Sequence, residues 1–149
     1  MLSSSVPVAL VEVSFFAHAT EDENKVVEAT RNLLPATQVE NVAFSKSSLR
    51  GHHGNPITLF EARINEKEIL SAVLETLSSG LSVFDKENLA REVELHLEKG
   101  SLYLRFDKQA AFQGQFKLGV SDPIRVRLRF KKNKLEDIVQ LCKEIGLFP

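Results

Sequence analysis

Hydrophobic and polar positions follow two periods along this chain, and the points where one gives way to the other mark the expected elements. Val11, Val13, Phe15 and Ala17 alternate with Glu12 and Ser14 across residues 8–17, the period of two that a half-buried strand requires. That strand should end at His18. Thr20 stands three residues ahead of Glu23, a capping-box spacing, and predicts a helix over residues 21–34 with Val26, Ala29, Leu33 and Leu34 inward and Pro35 as its stop. Residues 39–44 suggest a weak strand, and residues 45–56, rich in Ser, Lys, Arg, Gly, His and Asn, read as the longest exposed loop. Residues 57–64 resume as a strand with Phe60, Ala62 and Ile64 on one side. Asn65 and Glu68 form a second capping box, opening a helix to about residue 79 with Ile69, Val73 and Leu77 in one stripe.

A short helical turn begun at Asp85 is expected within residues 82–91, and then the period returns to two. Val93, Leu95 and Leu97, the turn Glu98-Lys99-Gly100-Ser101, and Leu102, Leu104 and Phe106 together spell a hairpin. After a loop or short helix over 107–114, residues 115–120 suggest another strand and 121–123 a turn. Residues 124–130 alternate most cleanly of all, Ile, Val, Leu and Phe against Arg125, Arg127 and Arg129. Asn133 and Glu136 then cap a last helix with the stripe Leu135, Ile138, Cys142 and Ile145. One apolar stripe per helix and one apolar face per strand imply an α+β domain, its largely antiparallel sheet covered on one side by about three helices.

The length of 149 residues suits one domain, and 43% hydrophobic with 26% charged residues suits a packed globular one. No apolar run approaches the roughly 18 residues of a membrane helix, and residues 6–13 lack the flanks of a signal peptide, so a cytoplasmic location is expected. The single cysteine, Cys142, falls among Ile138, Val139 and Ile145 and reads as a small buried hydrophobe. Charge changes the picture more. A net charge of −1 hides a segment, residues 99–134, with ten Lys or Arg against two acids, and an asymmetry of that kind points to an anionic partner.

The stretch IRVRLRFKKNK, residues 124–134, carries most of this. Side chains two apart on a strand share a face, so Arg125, Arg127 and Arg129 form a row continued by Lys131, with Lys132 as its neighbour, which fits a phosphate backbone. The plainer alternative is a solvated face paired with acids such as Glu94 or Glu98. In LYLRFDKQAAFQG, residues 102–114, Tyr103 and Arg105 share the hairpin's polar face, followed by Asp107 and Lys108, with Lys117 further on; a tyrosine among cations can stack on an unpaired base, and the plainer reading is an Asp107–Lys108 contact that shapes the turn. GHHGNPI, residues 51–57, lacks the ligands zinc would need beside His52 and His53. With Arg50 it makes instead a donor-rich loop able to touch phosphate or a base, or one merely shaped by Gly51, Gly54 and Pro56. In HATEDE, residues 18–23, metal binding is the weaker reading, because the capping box accounts for Thr20 and Glu23. His18-Ala19-Thr20 also matches one element of the two-histidine phosphoesterases, but no second copy occurs.

HATEDENKV, GHHGNPI, LYLRFDKQAAFQG and DPIRVRLRF, in this order, resemble an archaeal family of predicted RNA-binding or exosome-associated proteins, over about residues 10–132. The resemblance implies an α+β domain similar to the large-subunit ribosomal protein that binds the small ribosomal RNA. It also implies a tendency to dimerise, a place in RNA processing, and no catalytic residues or cofactor. That family carries a helix before the glycine turn where this chain's VELHL reads as strand. The expected function is non-enzymatic RNA binding, directed by backbone and shape. The sites are Arg125, Arg127, Arg129, Lys131, Lys132, Arg105, Lys108, Lys117 and Tyr103, with Arg50, His52 and His53 at the edge. A protein-interaction or dimerisation module, or a histidine-based phosphoesterase, is the alternative.

Overall fold

A computed structural model describes residues 6–51 and 54–149. Six strands form one antiparallel sheet among these residues: β1 (Val8–His18), β2 (Ser45–Arg50), β3 (Pro56–Ile64), β4 (Leu97–Glu98), β5 (Ser101–Phe106) and β6 (Ile124–Phe130), in the order β2-β3-β1-β6-β5-β4. The helices are α1 (Glu23–Arg31), α2 (Lys67–Gly80), α3 (Val83–Arg91), α4 (Val93–His96), α5 (Lys108–Phe112) and α6 (Leu135–Glu144). The fold is α+β, as the periodicity implies.

One face of the sheet makes the core. Val11, Val13, Phe15 and Ala17 of β1, Phe60, Ala62 and Ile64 of β3, Leu102, Leu104 and Phe106 of β5, and Ile124, Val126, Leu128 and Phe130 of β6 all point to that face. They pack against Val26 of α1, Leu70, Val73, Leu74 and Leu77 of α2, Leu89 of α3, and Ile138 and Cys142 of α6. Because the strand period is two, burying these residues forces the intervening ones onto the opposite face, which none of the described core helices covers: Glu12, Ser14 and Phe16 stay half-buried and Arg125 and Arg129 exposed. β1, eleven residues long, pairs with β3 on one side and β6 on the other, so both outer pairs take their register from it. No described helix is long and apolar enough to cross a membrane.

Several local expectations give way. Residues 45–50 are not loop but the edge strand β2, whose six residues are all exposed; its register comes from backbone pairing with β3, not from side-chain burial. Residues 39–41 form a turn of 3-10 helix rather than strand. Residues 93–96 are the helical turn α4, leaving β4 only two residues, and Leu95, placed inside by strict alternation, is 76% exposed while Val93 packs on the core. Residues 115–120 make a single bridge, Leu118 to Phe106, because the backbone joins β5 only through Lys117 and Gly119. The hairpin turn itself stands as expected: Lys99 and Gly100 both have positive φ, 49° and 82°, the geometry of a type I′ connection.

The caps also differ. Asp22, not Thr20, caps α1 by accepting from the Asn24 N–H, and Glu23 is drawn off to Lys46 of β2 and Thr58 of β3. α2 starts after Glu66 and α6 after Lys134, neither with a side-chain cap; the Asn133 side chain lies against Gly100 instead. Ser82 begins α3, accepting from the Asp85 N–H.

Candidate nucleic-acid interface

The open face of the sheet carries the chemistry. With Ile124, Val126, Leu128 and Phe130 buried, β6 must present Arg125, Arg127 and Arg129 on that face, spaced about 6–7 Å apart. Pairing sets their neighbours. Arg125 lies between Ser14 of β1 and Arg105 of β5, Arg127 between Glu12 and Tyr103, and Arg129 between Leu10 and Ser101. β3 adds Glu61 beside Ser14 and Arg63 beside Glu12.

The three arginines are not equivalent. Arg127 donates from Nη1 to Glu12 Oε1 at 2.5 Å and from Nε to Ser101 Oγ at 2.9 Å, while Arg63 Nε stands 3.7 Å from the other Glu12 oxygen. Glu12, 115 residues before Arg127, is therefore the partner, in place of the nearby Glu94 or Glu98 that the sequence suggests. Among the described residues no carboxylate pairs with Arg125 or Arg129, both exposed. Arg125 faces Arg105 directly across the β5–β6 pair, and the Arg105 guanidinium lies 5.7 Å from the Tyr103 ring centroid. Like charges opposite each other destabilise a sheet unless an anion joins them. A depression of about 210 Å³ opens here, lined by Glu12, Ser14, Glu61, Tyr103, Arg125 and Arg127.

The remaining candidates scatter. Lys131 and Lys132 are exposed just beyond the end of β6, the Lys131 N–H bonded to the Pro7 carbonyl, and Lys117 is exposed in the segment beside the outer edge of β5. Arg50, at the far end of β2, shares the helix-side face with Lys46 by register and donates to the Gly54 carbonyl at 3.2 Å. It sits three strands from β6 and so outside the arginine row. His52 and His53 lie outside the described residues.

Lys108 points elsewhere. Its ammonium, 14% exposed, donates to the Phe16 carbonyl at 2.7 Å, to Asp122 Oδ2 at 2.7 Å and to Glu21 Oε1 at 3.2 Å. His18 Nε2 is 3.1 Å from the same Asp122 oxygen. His18, Glu21 and Asp122 offer ligand atoms within 4.8 Å of one another, a grouping a metal could use, but Lys108 already supplies the positive charge among them. The cluster ties the end of β1 to α5 and to the turn before β6. It also gives His18 a local partner, and no described histidine stands opposite it as a two-histidine phosphoesterase would need.

At the outer edge of β5, His96, Arg105, Leu95 and Val120 line a second cavity of about 490 Å³. His96 Nδ1 is buried without a hydrogen-bond partner among the described residues, and burial first, then the charge of Arg105, lowers the imidazole's pKa.

Sequence reasoning missed two residues of the open face. In the sequence Glu12 reads only as a polar spacer between Val11 and Val13. Phe16, half-buried on the open face and paired with Leu59, was hidden behind its neighbour Phe15, which fills the core. The parity of β1 alone, with Val11, Val13 and Phe15 inside, would have placed both on the outer side.

An α+β fold with one helix-covered sheet face and one open face bearing unpaired arginines is the frame of a binding module. The chain belongs to the RNA-binding family: the family model described as RNA binding matches residues 10–130. It is 35% identical over 139 residues to the RNA-binding protein PAB1135 of Pyrococcus abyssi, with 90% of each chain covered. It is 33% identical over 150 residues to the uncharacterized protein MJ0213 of Methanocaldococcus jannaschii, covering 91% of this chain and 97% of that one. Among solved structures, protein AF2318 from Archaeoglobus fulgidus superposes with a TM-score of 0.81 at 28% identity, covering 93% of this chain and 99% of its own. The DUF54 protein Mth689 from Methanothermobacter thermautotrophicus gives 0.76 at 26% identity, covering 93% and 98%. These relatives are archaeal, as the sequence motifs imply.

Proposed function

We propose that this protein binds RNA without transforming it, along the open face of the sheet, with Arg125, Arg129 and Arg105 on phosphates and Lys131 and Lys132 extending the contact. The observation that carries this is the Arg125–Arg105 pair, opposite each other in the β5–β6 register and neither bound to a carboxylate among the described residues. A phosphodiester oxygen is the group that would relieve their repulsion. Arg127, held by Glu12, acts as a strut that keeps the row in place and contributes less to the bound RNA. Lys108 serves the His18–Glu21–Asp122 cluster and drops out of the contact set.

Backbone contacts of this kind release counterions, so affinity falls steeply with salt, by about 0.7 in slope per phosphate on a single strand. Anisotropy of a labelled RNA over a salt series tests the reading. Arg125→Glu/Arg129→Glu should weaken binding and flatten the slope, and a variant that binds with unchanged slope would show that RNA does not lie on this face.

A homodimer, which the resemblance implies, would join through the exposed outer edge of β2 and leave the β5–β6 half of the face free. A link to the exosome rests on the resemblance alone.

A further inference from the structure

Two halves of the open face differ in chemistry. The half formed by β6, β5 and the start of β1 carries the arginines and Tyr103. The other half, where β1 runs beside β3 and β2, carries Phe16 paired with Leu59, then Ile57 beside Leu49 of the edge strand. Phe16, Leu59 and Ile57 are only half-buried and Leu49 is 44% exposed, although they lie on the face that no core helix covers. Phosphates have no use for this second half. The duplex hides its bases inside, so only an unpaired strand can place base faces on apolar side chains while its phosphates meet cations.

The register fixes how such a strand would lie. Tyr103 is opposite Arg127, Arg127 opposite Glu12, and Phe16 is four residues further along β1. Two strand spacings across and four residues along separate Tyr103 from Phe16 by roughly 16 Å. Arg125 and Ser14 fall between them on that diagonal, with Arg105 beside Arg125. Aromatic, cation, aromatic is the sequence that base, phosphate, base requires over a few nucleotides.

We propose that the open face is a stacking platform for unpaired RNA, in which bases rest on Tyr103 and Phe16 and the intervening phosphate sits between Arg125 and Arg105. This rests on the RNA-binding reading above and adds to it the strandedness of the ligand and two residues that touch bases. The selectivity is for single strands, with little preference among sequences, because every base has a stacking face.

The chain supplies its own probe. It has one tyrosine and no tryptophan, so emission excited at wavelengths beyond the phenylalanine absorption reports on Tyr103 alone. The test compares a short RNA without self-complementarity with the same strand annealed to its complement, followed by tyrosine fluorescence lifetime and by anisotropy of a labelled copy. The single strand should shorten the lifetime at least about twofold at saturation and bind at least about tenfold more tightly than the duplex. Tyr103→Leu and Phe16→Leu should each lose about tenfold in single-strand affinity and leave duplex affinity unchanged, while Tyr103→Phe and Phe16→Tyr retain single-strand binding. Thermal melting of each variant separates lost stacking from lost folding, and the aromatic-for-aromatic pair carries the comparison if a leucine variant melts early. Equal affinity for single strand and duplex with an unmoved tyrosine lifetime overturns the platform and leaves backbone binding standing. Absence of binding to either RNA at low salt overturns both.

Discussion

Glu12→Gln should tighten RNA binding, a direction opposite to the usual effect of breaking an ion pair. Glu12 sits in the middle of the open face, its carboxylate bound by Arg127 at 2.5 Å and approached by Arg63 at 3.7 Å. An anion seated at Arg125, one row along, would lie about 7 Å away. Coulomb repulsion at that distance is about 0.6 kcal/mol in water and about 2.4 kcal/mol at an effective dielectric of 20. Screening at physiological salt reduces either figure by roughly half. Removing the charge therefore favours the bound state by a few tenths to about 1 kcal/mol, and releasing Arg127 adds up to one more phosphate contact, worth about 0.7 in salt slope. The combined expectation is about threefold to tenfold tighter binding. Stability should fall by no more than about 1 kcal/mol, because Glu12 is 26% exposed and Arg127 33% exposed, and glutamine still accepts a hydrogen bond. Anisotropy with labelled single-stranded RNA at two salt concentrations, beside a urea melt, measures both quantities. A folded Glu12→Gln protein that binds no better than the parent, or worse, would refute the assignment of phosphates to this face.

Lys108→Met should cost about 2 kcal/mol in a denaturant melt, less than for a fully buried pair because Glu21 and Asp122 remain partly exposed, and should leave RNA affinity within about twofold. Cys142 is buried, with burial pushing its thiol pKa up to about 12, so a disulfide reagent should label the native protein only as fast as it unfolds. His96 has a lowered pKa, so the unfolded chain takes up its proton first; stability is full above the ordinary histidine pKa and declines as pH falls through it toward the folded value. His96→Leu should flatten that part of the pH–stability curve, measured by urea melts from neutral to mildly acidic pH.

Strands with one buried face were legible because their alternation is enforced by the core: β1, β3, β5 and β6 could be placed from apolar residues alone, and with them the outward row Arg125, Arg127 and Arg129. β2 was not, because SKSSLR buries nothing and owes its conformation to hydrogen bonds from β3. VELH alternates like a strand, yet Val93 and Leu97 reach the core with a helical turn between them, leaving Leu95 outside. At the site, spacing gave the arginines but not their unequal roles. Which of them is bound internally depends on Glu12, which only the pairing of β1 with β6 brings alongside.

Photo-crosslinking of a thiouridine-containing single-stranded RNA to the intact protein, with the linked peptides identified by mass spectrometry, bears most directly on where RNA lies. Crosslinks within residues 101–106 and 124–132, and at Phe16 of β1, are the predicted result. Crosslinks confined to α2, α3 or α6, on the covered side of the sheet, would contradict it.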